Sequence, residues 1–539
     1  MENNDDPTES VMQSEAFEPR FQIRLTILAL VLGLSVEILF HGHPLGISFP
    51  IWAGLSVAAL LIAAWWGRIR PARAELWLAI PIMFFASMTF LRLEPLTTFL
   101  NVIIVLALLA IWVRIFRSGK LIDYGWVDYL VALVRVPLEA WYRPWSILRT
   151  SWIKLVGERG AKDPLIAVLR GILLALPILV VFAALLTAAD LIFADYVETA
   201  LSWLNIELLA EYIGRMLVII ISAIFLLGAL AVSLSDPGER RLIGHDQPII
   251  SPFLGFIETA VILGAVNLLF AVFVIVQFTY IFGGEVNITV TGYTYAEYAR
   301  RGFGELTAVA FLSLGLIIAM GALSRREGKR RAAWFHGLSA VLVGLVGVIL
   351  VSAFKRLLLY ENAYGFTRLR TYTHVAILWM GILFVLFLPL LIKGRLRRFA
   401  LAAAFGVLGF AATLNLANVD SFIVRQNMER FIDTGLIDVE YLTRLSDDAV
   451  PELIRLAEIA SEQVEEEMLP QLACRQAEIS NYISRTSWQS FHWSRASGER
   501  LLSGVEESFR DYEVKLVDGL LVVEGPEGEQ ACDRWRGWD

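Results

Sequence analysis

Eleven long apolar stretches, separated by polar connections, run through the chain as far as residue 417. A helix needs about 20 mostly apolar residues to cross a bilayer, and most of these stretches have that length. The third is short, and the seventh is long enough to tilt or to be kinked. The stretches are 22–41, 46–66, 76–92, 96–116, 165–189, 212–234, 252–282, 304–323, 333–354, 372–392 and 398–416. The pattern predicts an all-α polytopic membrane protein with about 11 transmembrane helices.

The remainder of the chain, from residue 418, has a different pattern. Apolar residues recur there at helical spacing, and the run DYEVKLVDGLLVVEGPEGE then alternates and turns at Asp518-Gly519. An Asp-Gly pair between alternating runs is a strong signal for a hairpin. We predict three parts: a disordered acidic tail over 1–20, a helical membrane body over 21–417, and a small helical C-terminal domain over 418–539 that ends in a β-hairpin.

Composition agrees with a membrane body and separates it from the C-terminal domain by charge. Apolar residues make up 57% of the chain, charged residues 18%, and the mean hydropathy is +0.62. Soluble proteins are about a quarter charged. From residue 418 onward there are 25 Asp and Glu against 12 Lys and Arg, whereas the part before it is net positive. An acidic domain on a basic membrane body argues against a nucleic-acid partner.

The distribution of Lys and Arg predicts the orientation, because cytoplasmic connections retain these residues. Connections and helix ends on the same side as the N-terminus carry 25 of them, and those on the other side carry 8. The N-terminus is acidic and lacks the basic start of a signal peptide. Eleven crossings from a cytoplasmic N-terminus predict an extracytoplasmic C-terminal domain, and one crossing more or fewer would reverse that result.

Two further features bear on this topology. The segment near 125–145, VDYLVALVRVPLEAWYRPW, mixes apolar, aromatic and basic residues in a way that favours an interfacial helix, although a hinge or a partner surface is an alternative. The only two cysteines, Cys474 and Cys532, lie in the C-terminal domain. A disulfide between them would suit an oxidising compartment, and two unpaired thiols are the alternative.

Polar and aromatic residues cluster in two connections on the predicted outer side, YTYAEYARRGFGEL and KRLLLYENAYGFTRLRTYTH. They hold six of the eight basic residues on that side, against the usual trend. We call the following residues the Arg/Tyr rim: Tyr295, Glu297, Tyr298, Arg300, Arg301, Tyr360, Tyr364, Arg368 and Arg370. Nearby acidic residues, the acidic C-terminal domain or an anionic ligand could balance the arginines. A structural rim that joins body to domain and a site for a lipid phosphate are both open.

The same segments carry a family resemblance. YAEYARRGF, LYENAYGFTRLR and the run NVDSFIVRQNMERF, followed by DVEYLTRLSDDAVPEL, resemble uncharacterised bacterial multi-pass membrane proteins. These are catalogued as a domain of unknown function in the group numbered 4153 and 4173. The resemblance covers roughly 165–460 and implies an integral protein of the bacterial plasma membrane. It implies no activity, and it stops before both cysteines.

Ionisable residues inside the predicted spans are Glu37, Arg170 and Glu258. Such residues are costly in a bilayer and are often functional, although structural pairing explains residues near span ends equally well. His41 and His43 are too few for a metal site, so we predict none.

The chain lacks phosphate-loop, zinc-protease and nucleophile-elbow motifs, so catalytic residues are unknown and no cofactor is predicted. The favoured hypothesis is a scaffold, assembly or sensory protein of the cell envelope. Its partners would be membrane lipids, an anionic lipid or lipid-linked phosphate, or another envelope protein. The alternative is a transporter or membrane-embedded transferase for a lipid-linked or anionic substrate.

Overall fold

A computed structural model shows eleven helices among the described residues of the membrane part. The structure describes residues 18–119, 121–157, 206–235, 251–281, 303–325, 328–517, 520–526 and 528–532, and scattered positions between 168 and 196. The helices are α1 (Pro19–Phe40), α2 (Ser48–Trp66), α3 (Ala79–Leu91), α4 (Pro95–Ile115), α5 (Trp126–Gly157), α6 (Ile206–Leu234), α7 (Phe256–Ile281), α8 (Phe303–Leu323), α9 (Lys329–Tyr364), α10 (Arg368–Ile392) and α11 (Phe399–Ala417).

Nine helices in the described part of the chain are long and apolar enough to cross a membrane. The helix that contains α3 is apolar but shorter, as its sequence predicted. The all-α polytopic fold is thereby confirmed. One predicted span, 165–189, lies largely outside the described residues.

One predicted boundary differs from the structure. The segment 355–371 was expected to be a connection, but α9 continues to Tyr364 and α10 begins at Arg368. Only three residues join the two helices, with Gly365 at a φ of 78°. Charged residues interrupt the apolar run in this segment, yet they do not interrupt helical hydrogen bonding. The hydropathy pattern therefore predicts an end for α9 that lies too early in the chain.

The outer faces of these helices are apolar, as expected for surfaces in contact with lipid. Trp65, Ile80 and Val385 each leave more than 70% of the side chain exposed. Exposed apolar patches of this extent are unusual on a soluble monomer and are typical of a membrane-facing surface.

Three hydrophobic cores meet at α11. Ala411 packs in a core formed mainly by α1–α4 and α6. Phe399 and Ala403 pack in a second core with α7–α10. Leu414 belongs to the core of the C-terminal domain. The last membrane helix is therefore shared by both halves of the body and by the domain that follows it.

Contacts between connections define two ends of the helical body. At one end, Arg24 lies over the Trp66 ring, and Arg117 donates to the Leu234 carbonyl at 2.9 Å. At the other, which we call the domain-bearing end, Ser490 Oγ donates to the Pro44 carbonyl at 3.1 Å. There too the Phe366 amide donates to Asn427 Oδ1 at 2.9 Å. The C-terminal domain is thus packed against one end of the body, away from the start of α1.

The C-terminal domain contains α12 (Val419–Thr434), α13 (Val439–Thr443), α14 (Val450–Ile459), α15 (Glu462–Arg485) and α16 (Trp493–Gly504). Strands β1 (Glu513–Val517), β2 (Leu520–Gly525) and β3 (Gly528–Ala531) form an antiparallel sheet in the order β1-β2-β3. The predicted hairpin is confirmed as β1 and β2, with Val517 opposite Leu520. Its turn residues, Asp518 and Gly519, lie outside the described part.

Helix α5 covers the segment in which an interfacial helix is predicted. It packs against α6 so closely that a Cβ on Gly228 would lie 1.8 Å from the Ala140 carbonyl oxygen. Arg143 donates to Ser235 Oγ at 2.7 Å, at the end of the body opposite the C-terminal domain. Leu130 and Val134 are more than 60% exposed along its outer side. A position in the membrane interface stays a prediction.

Candidate functional site

The polar contacts between the membrane body and the C-terminal domain form the most extensive buried polar arrangement that we describe, and we call it the joint. Its members from the body are Arg92, Leu93, Glu94, Asn101, Arg368, Tyr372 and Asn415. Its members from the domain are Asp420, Tyr441, Ser446, Asp448, Arg475, His492 and Ser494.

An ion pair joins the first turn of α10 to the first turn of α12. Arg368 donates from Nε to Asp420 Oδ1 at 2.8 Å and from Nη2 to Oδ2 at 2.5 Å. Asp420 is fully buried and also accepts from the Ser446 amide at 2.8 Å. A two-pronged pair of this kind fixes orientation as well as distance. It sets the angle at which the domain leaves the last membrane helix.

Asp448 connects the domain to the turn between α3 and α4. Its Oδ2 accepts from the amides of Leu93 at 2.8 Å and Glu94 at 3.2 Å, and its Oδ1 accepts from Ser494 Oγ. Burial raises the pKa of Asp448 to about 6, although these hydrogen bonds act in the opposite direction. The backbone amides of the turn between α3 and α4 therefore donate to a side chain of the C-terminal domain.

Glu94 begins α4 and links it to α10. Its carboxylate accepts from the amides of Leu96 at 2.9 Å and Thr97 at 2.7 Å, as an N-cap does. It also accepts from the Tyr372 hydroxyl. The residue caps its own helix and holds a neighbouring one.

Two buried asparagines pair across α4 and α11. Asn101 Nδ2 donates to Asn415 Oδ1 at 2.9 Å, and Asn415 Nδ2 donates back to Asn101 Oδ1 at 2.8 Å. Both residues are fully buried. Arg92 Nε donates to the Asn415 carbonyl at 2.9 Å. The pair aligns α11 with the first half of the body within the joint.

Arg475 organises the loop that carries the domain's side of the joint. Its buried guanidinium donates to the carbonyls of Thr443 at 3.0 Å, Ser446 at 3.1 Å and Leu445. Burial lowers its pKa, and Asp447, with its carboxylate 3.8 Å away, acts in the opposite direction. Because Arg keeps its proton in proteins, this is a buried cation satisfied mainly by backbone carbonyls.

The His492 ring lies between the C-terminal end of α3 and the turn that follows it. Its Nε2 lies 3.0 Å from the Thr89 carbonyl oxygen and 3.2 Å from that of Arg92. Carbonyls only accept, so Nε2 carries the proton. Burial, followed by the nearby Arg495 cation, lowers the pKa of His492 to about 4. The ring is therefore neutral at pH 7.

The family description Domain of unknown function (DUF4153) matches residues 79–456. The chain belongs to this family. No curated protein and no solved structure gives a significant match. The matched region begins earlier than the resemblance read from the sequence, and it includes Arg368, Asp420 and Asp448 but ends before Arg475 and His492.

Membership in the DUF4153 family assigns no activity, so the described part of the Arg/Tyr rim has to be interpreted from its own contacts. Arg370 lies 4.0 Å above the Tyr360 ring centroid and donates to the carbonyls of Tyr364 at 3.2 Å and Gly365. Arg368 is engaged by Asp420. The rim residues Tyr295, Glu297, Tyr298, Arg300 and Arg301 lie outside the described residues.

Of the ionisable residues predicted inside spans, the structure describes Glu37 and Glu258, and these two are not brought together. Glu37 is buried near the end of α1, with Oε1 3.5 Å from His41 Nδ1 and 3.8 Å from Arg215 Nε. Glu258 is exposed in the first turn of α7, and Arg170 lies outside the described residues. His43 faces Ser487 at 2.9 Å rather than sharing a site with His41.

Sequence reasoning missed a second buried pair, Glu361 with His374, whose Oε2 and Nδ1 are 3.3 Å apart between α9 and α10. Glu361 is fully buried. It lies in the segment that the sequence predicts to be a connection, among the nearby acidic residues that could balance the rim arginines. Within the described residues, no group of three or more His, Cys, Asp or Glu is arranged to hold a metal ion.

The two cysteines are joined in the structure by a Cys474–Cys532 disulfide, with Cα atoms 5.6 Å apart. Cys474 is buried in the middle of α15, and Cys532 follows β3. The bond therefore fastens the sheet to the helical part of the domain. This corresponds to one of the two alternatives that the sequence left open.

Proposed function

We propose that this protein is a scaffold, assembly or sensory component of the bacterial plasma membrane. In this proposal the membrane body presents a rigidly oriented C-terminal domain on the extracytoplasmic side. The domain and the Arg/Tyr rim then bind an envelope protein or an anionic lipid. The proposal assigns the protein no chemical reaction.

The observation that carries the proposal is the joint. Buried ion pairs and satisfied backbone groups are costly to assemble and fix one arrangement of the parts they connect. Asp420 and Asp448 together engage two separate connections of the body. A flexible tether would need none of these contacts, whereas a platform that presents a domain in one orientation would need them.

Two features support the orientation. The domain-bearing end is the side with fewer Lys and Arg. The disulfide fits an oxidising compartment.

Thiol labelling in intact cells tests the topology. Ser484→Cys, on the exposed side of α15, should react with a membrane-impermeant maleimide. Lys329→Cys, exposed at the other end of the body, should react only after the cells are permeabilised. Both native cysteines are bonded and give little background. Labelling in the reverse pattern would place the domain in the cytoplasm and end the proposal as stated.

Native mass spectrometry in nanodiscs tests the lipid part. The triple variant Arg300→Gln, Arg301→Gln, Arg370→Gln should retain less phosphatidylglycerol than the wild type. Arg368 is left unchanged because it holds Asp420. Lys515→Gln, at an exposed position in the sheet, is the matched control. If the triple variant keeps its full complement of anionic lipid, the rim does not bind lipid phosphate.

A transporter or transferase would require a polar cavity that reaches Glu258, Arg170 or the rim arginines. The described residues favour the scaffold, because Glu258 is exposed at the end remote from the domain. Arg368 is occupied by a buried carboxylate, so it is not open to a substrate.

A further inference from the structure

A short segment of the C-terminal domain, 487–494, lies between the ends of three membrane helices. The Ile47 amide, before α2, donates to the Phe491 carbonyl at 3.0 Å. Gln489 Nε2 donates to the Ile38 carbonyl of α1 at 3.2 Å. Ser494 Oγ donates to the Leu91 carbonyl of α3 at 2.9 Å. Hydrogen bonds to three helix ends fix the depth of this segment relative to the membrane body.

The approach of this segment depends on a glycine. A Cβ on Gly46 would lie 2.6 Å from the Ser490 carbonyl carbon and 2.7 Å from the Phe491 carbonyl oxygen. Any larger residue would force the two backbones apart. The segment is therefore seated on the helix ends and does not merely pass near them.

Three aromatic side chains on this segment are exposed, although their backbone is held in place. The exposed fractions are 58% for Trp488, 40% for Phe491 and 50% for Trp493. Neighbouring Ile38, on the membrane-spanning α1, is 52% exposed. The aromatic surface therefore continues the apolar outer face of a membrane helix at the level where that helix ends.

The chemistry of these side chains matches the headgroup region of a bilayer. Tryptophan combines a large apolar ring with one N–H donor and is enriched where apolar and aqueous phases meet. Arg500 lies over the Trp493 ring at 5.6 Å, and Arg485 is exposed on the same domain. A guanidinium beside an interfacial ring is placed to bind a lipid phosphate.

We propose that Trp488, Phe491 and Trp493 form a lipid anchor by which the C-terminal domain inserts into the headgroup region of the adjacent leaflet. The partner is the phospholipid interface itself. The anchor supplements the joint, because it holds the domain against the bilayer as well as against the helices. It rests on the membrane location alone and holds whichever compartment the domain faces.

Site-directed spin labelling of the full chain in phospholipid nanodiscs tests the anchor. For each spin label, the measured quantity is the collision rate with oxygen divided by the collision rate with a water-soluble nickel complex. This ratio should be several-fold higher for labels on Trp488→Cys and Trp493→Cys than for a label on Ile459→Cys. Ile459 is a matched control, since it is apolar, 51% exposed and on the same domain. Equal ratios at all three sites would place the aromatics in water. Low accessibility to both reagents would place them against protein, and either result overturns the proposal.

A second measurement uses the unmodified protein, so a folding defect in the variants cannot obscure the answer. Phospholipids with a photoreactive diazirine at the headgroup should label the tryptic peptide TSWQSFHWSR, residues 486–495, which contains all three aromatics. The peptide over 456–475 should stay unlabelled after reduction. Labelling of neither peptide, or of both equally, contradicts the anchor. Reversed labelling in the topology experiment would leave this result unaffected.

Discussion

The buried charges at the joint are stabilised by hydrogen bonds from particular neighbouring residues. Asp420 has no exposed surface and receives two hydrogen bonds from Arg368 and one from a backbone amide. Removing one member of a buried pair leaves the other charged and without its counterion, which costs more than the pair contributes. The consequence is a large difference between two arginines that are close together in the sequence.

We expect Arg368→Gln to lower the free energy of unfolding of the C-terminal domain by about 3 kcal/mol. Arg370→Gln, whose contacts are a ring and two carbonyls, should cost about 1 kcal/mol. Amide hydrogen exchange across α12 and α13 measures the loss of free energy in each variant. Adding Asp420→Asn to Arg368→Gln should recover part of the loss. Equal effects from the two single variants would argue against a buried pair at the joint.

Two titratable residues at the joint affect stability with opposite signs. The pKa of Asp448 rises from 3.8 to about 6, so the folded state binds its proton more tightly than the unfolded state does. Its contribution to stability increases as the pH falls through 6 towards 4. The pKa of His492 falls from 6.5 to about 4, so its contribution decreases over nearly the same range. In the wild type the two contributions largely cancel.

Single variants should expose each contribution. Between pH 7 and pH 4, Asp448→Asn should lose stability relative to the wild type, and His492→Gln should gain stability relative to it. Each difference is on the order of 3 kcal/mol, from about two pKa units. Thermal unfolding midpoints measured across that pH range supply the test. Curves for both variants that run parallel to the wild type would show that neither group titrates in the joint.

At the scale of elements, the membrane helices were predictable because apolar runs of sufficient length have few alternatives. The β-hairpin was predictable from its alternation and its Asp-Gly turn. The joint was not, because Asp420, Asp448 and His492 are single polar residues with no motif and acquire partners only in three dimensions. Glu94 could have been found, since Glu-Pro at the start of an apolar run marks an N-cap followed by the first helical position.

The contact of α5 with α6 depends on one small residue. Gly228→Ala should destabilise this pair by about 2 kcal/mol, because the added Cβ would collide with the Ala140 carbonyl oxygen. Gly214→Ala, on the same helix with nothing within 4 Å of its Cβ, should be neutral or slightly stabilising. Unfolding midpoints in detergent compare the two. Equal midpoints for both variants would indicate that α5 does not pack on α6 as described.

The sheet depends on its covalent bond to α15. In a variant with Cys474→Ala and Cys532→Ala, the free energy of opening measured by hydrogen exchange at the β1–β3 amides should fall by about 3 kcal/mol. The same free energy for α7–α10 should stay unchanged. Hydrogen exchange followed by mass spectrometry distinguishes the two regions. Wild-type protection of the strands in this variant would mean that packing alone holds the sheet.

At the scale of the whole molecule, sequence reasoning gave the class of fold and the hairpin at the end of the C-terminal domain, but not how the parts are joined. It treated 355–371 as an outer loop, whereas the structure shows two helices and a three-residue connection. It also could not show that α11 belongs to three cores. A helix that is apolar all round carries no pattern to indicate which neighbours it packs against.

The joint also constrains the order in which the protein can be completed. Asp448 accepts a hydrogen bond from the Leu93 amide, which precedes it by 355 residues in the chain. Ser494 donates to the Leu91 carbonyl, which precedes it by 403 residues. At the usual pace of translation, the first of these intervals is roughly 20 to 70 s. During that time the ends of α3 and α4 are already made, while the groups that complete them have not been synthesised. A nascent chain arrested before Asp448 would present unsatisfied helix ends, a feature by which surveillance proteases could tell a truncated product from a finished one.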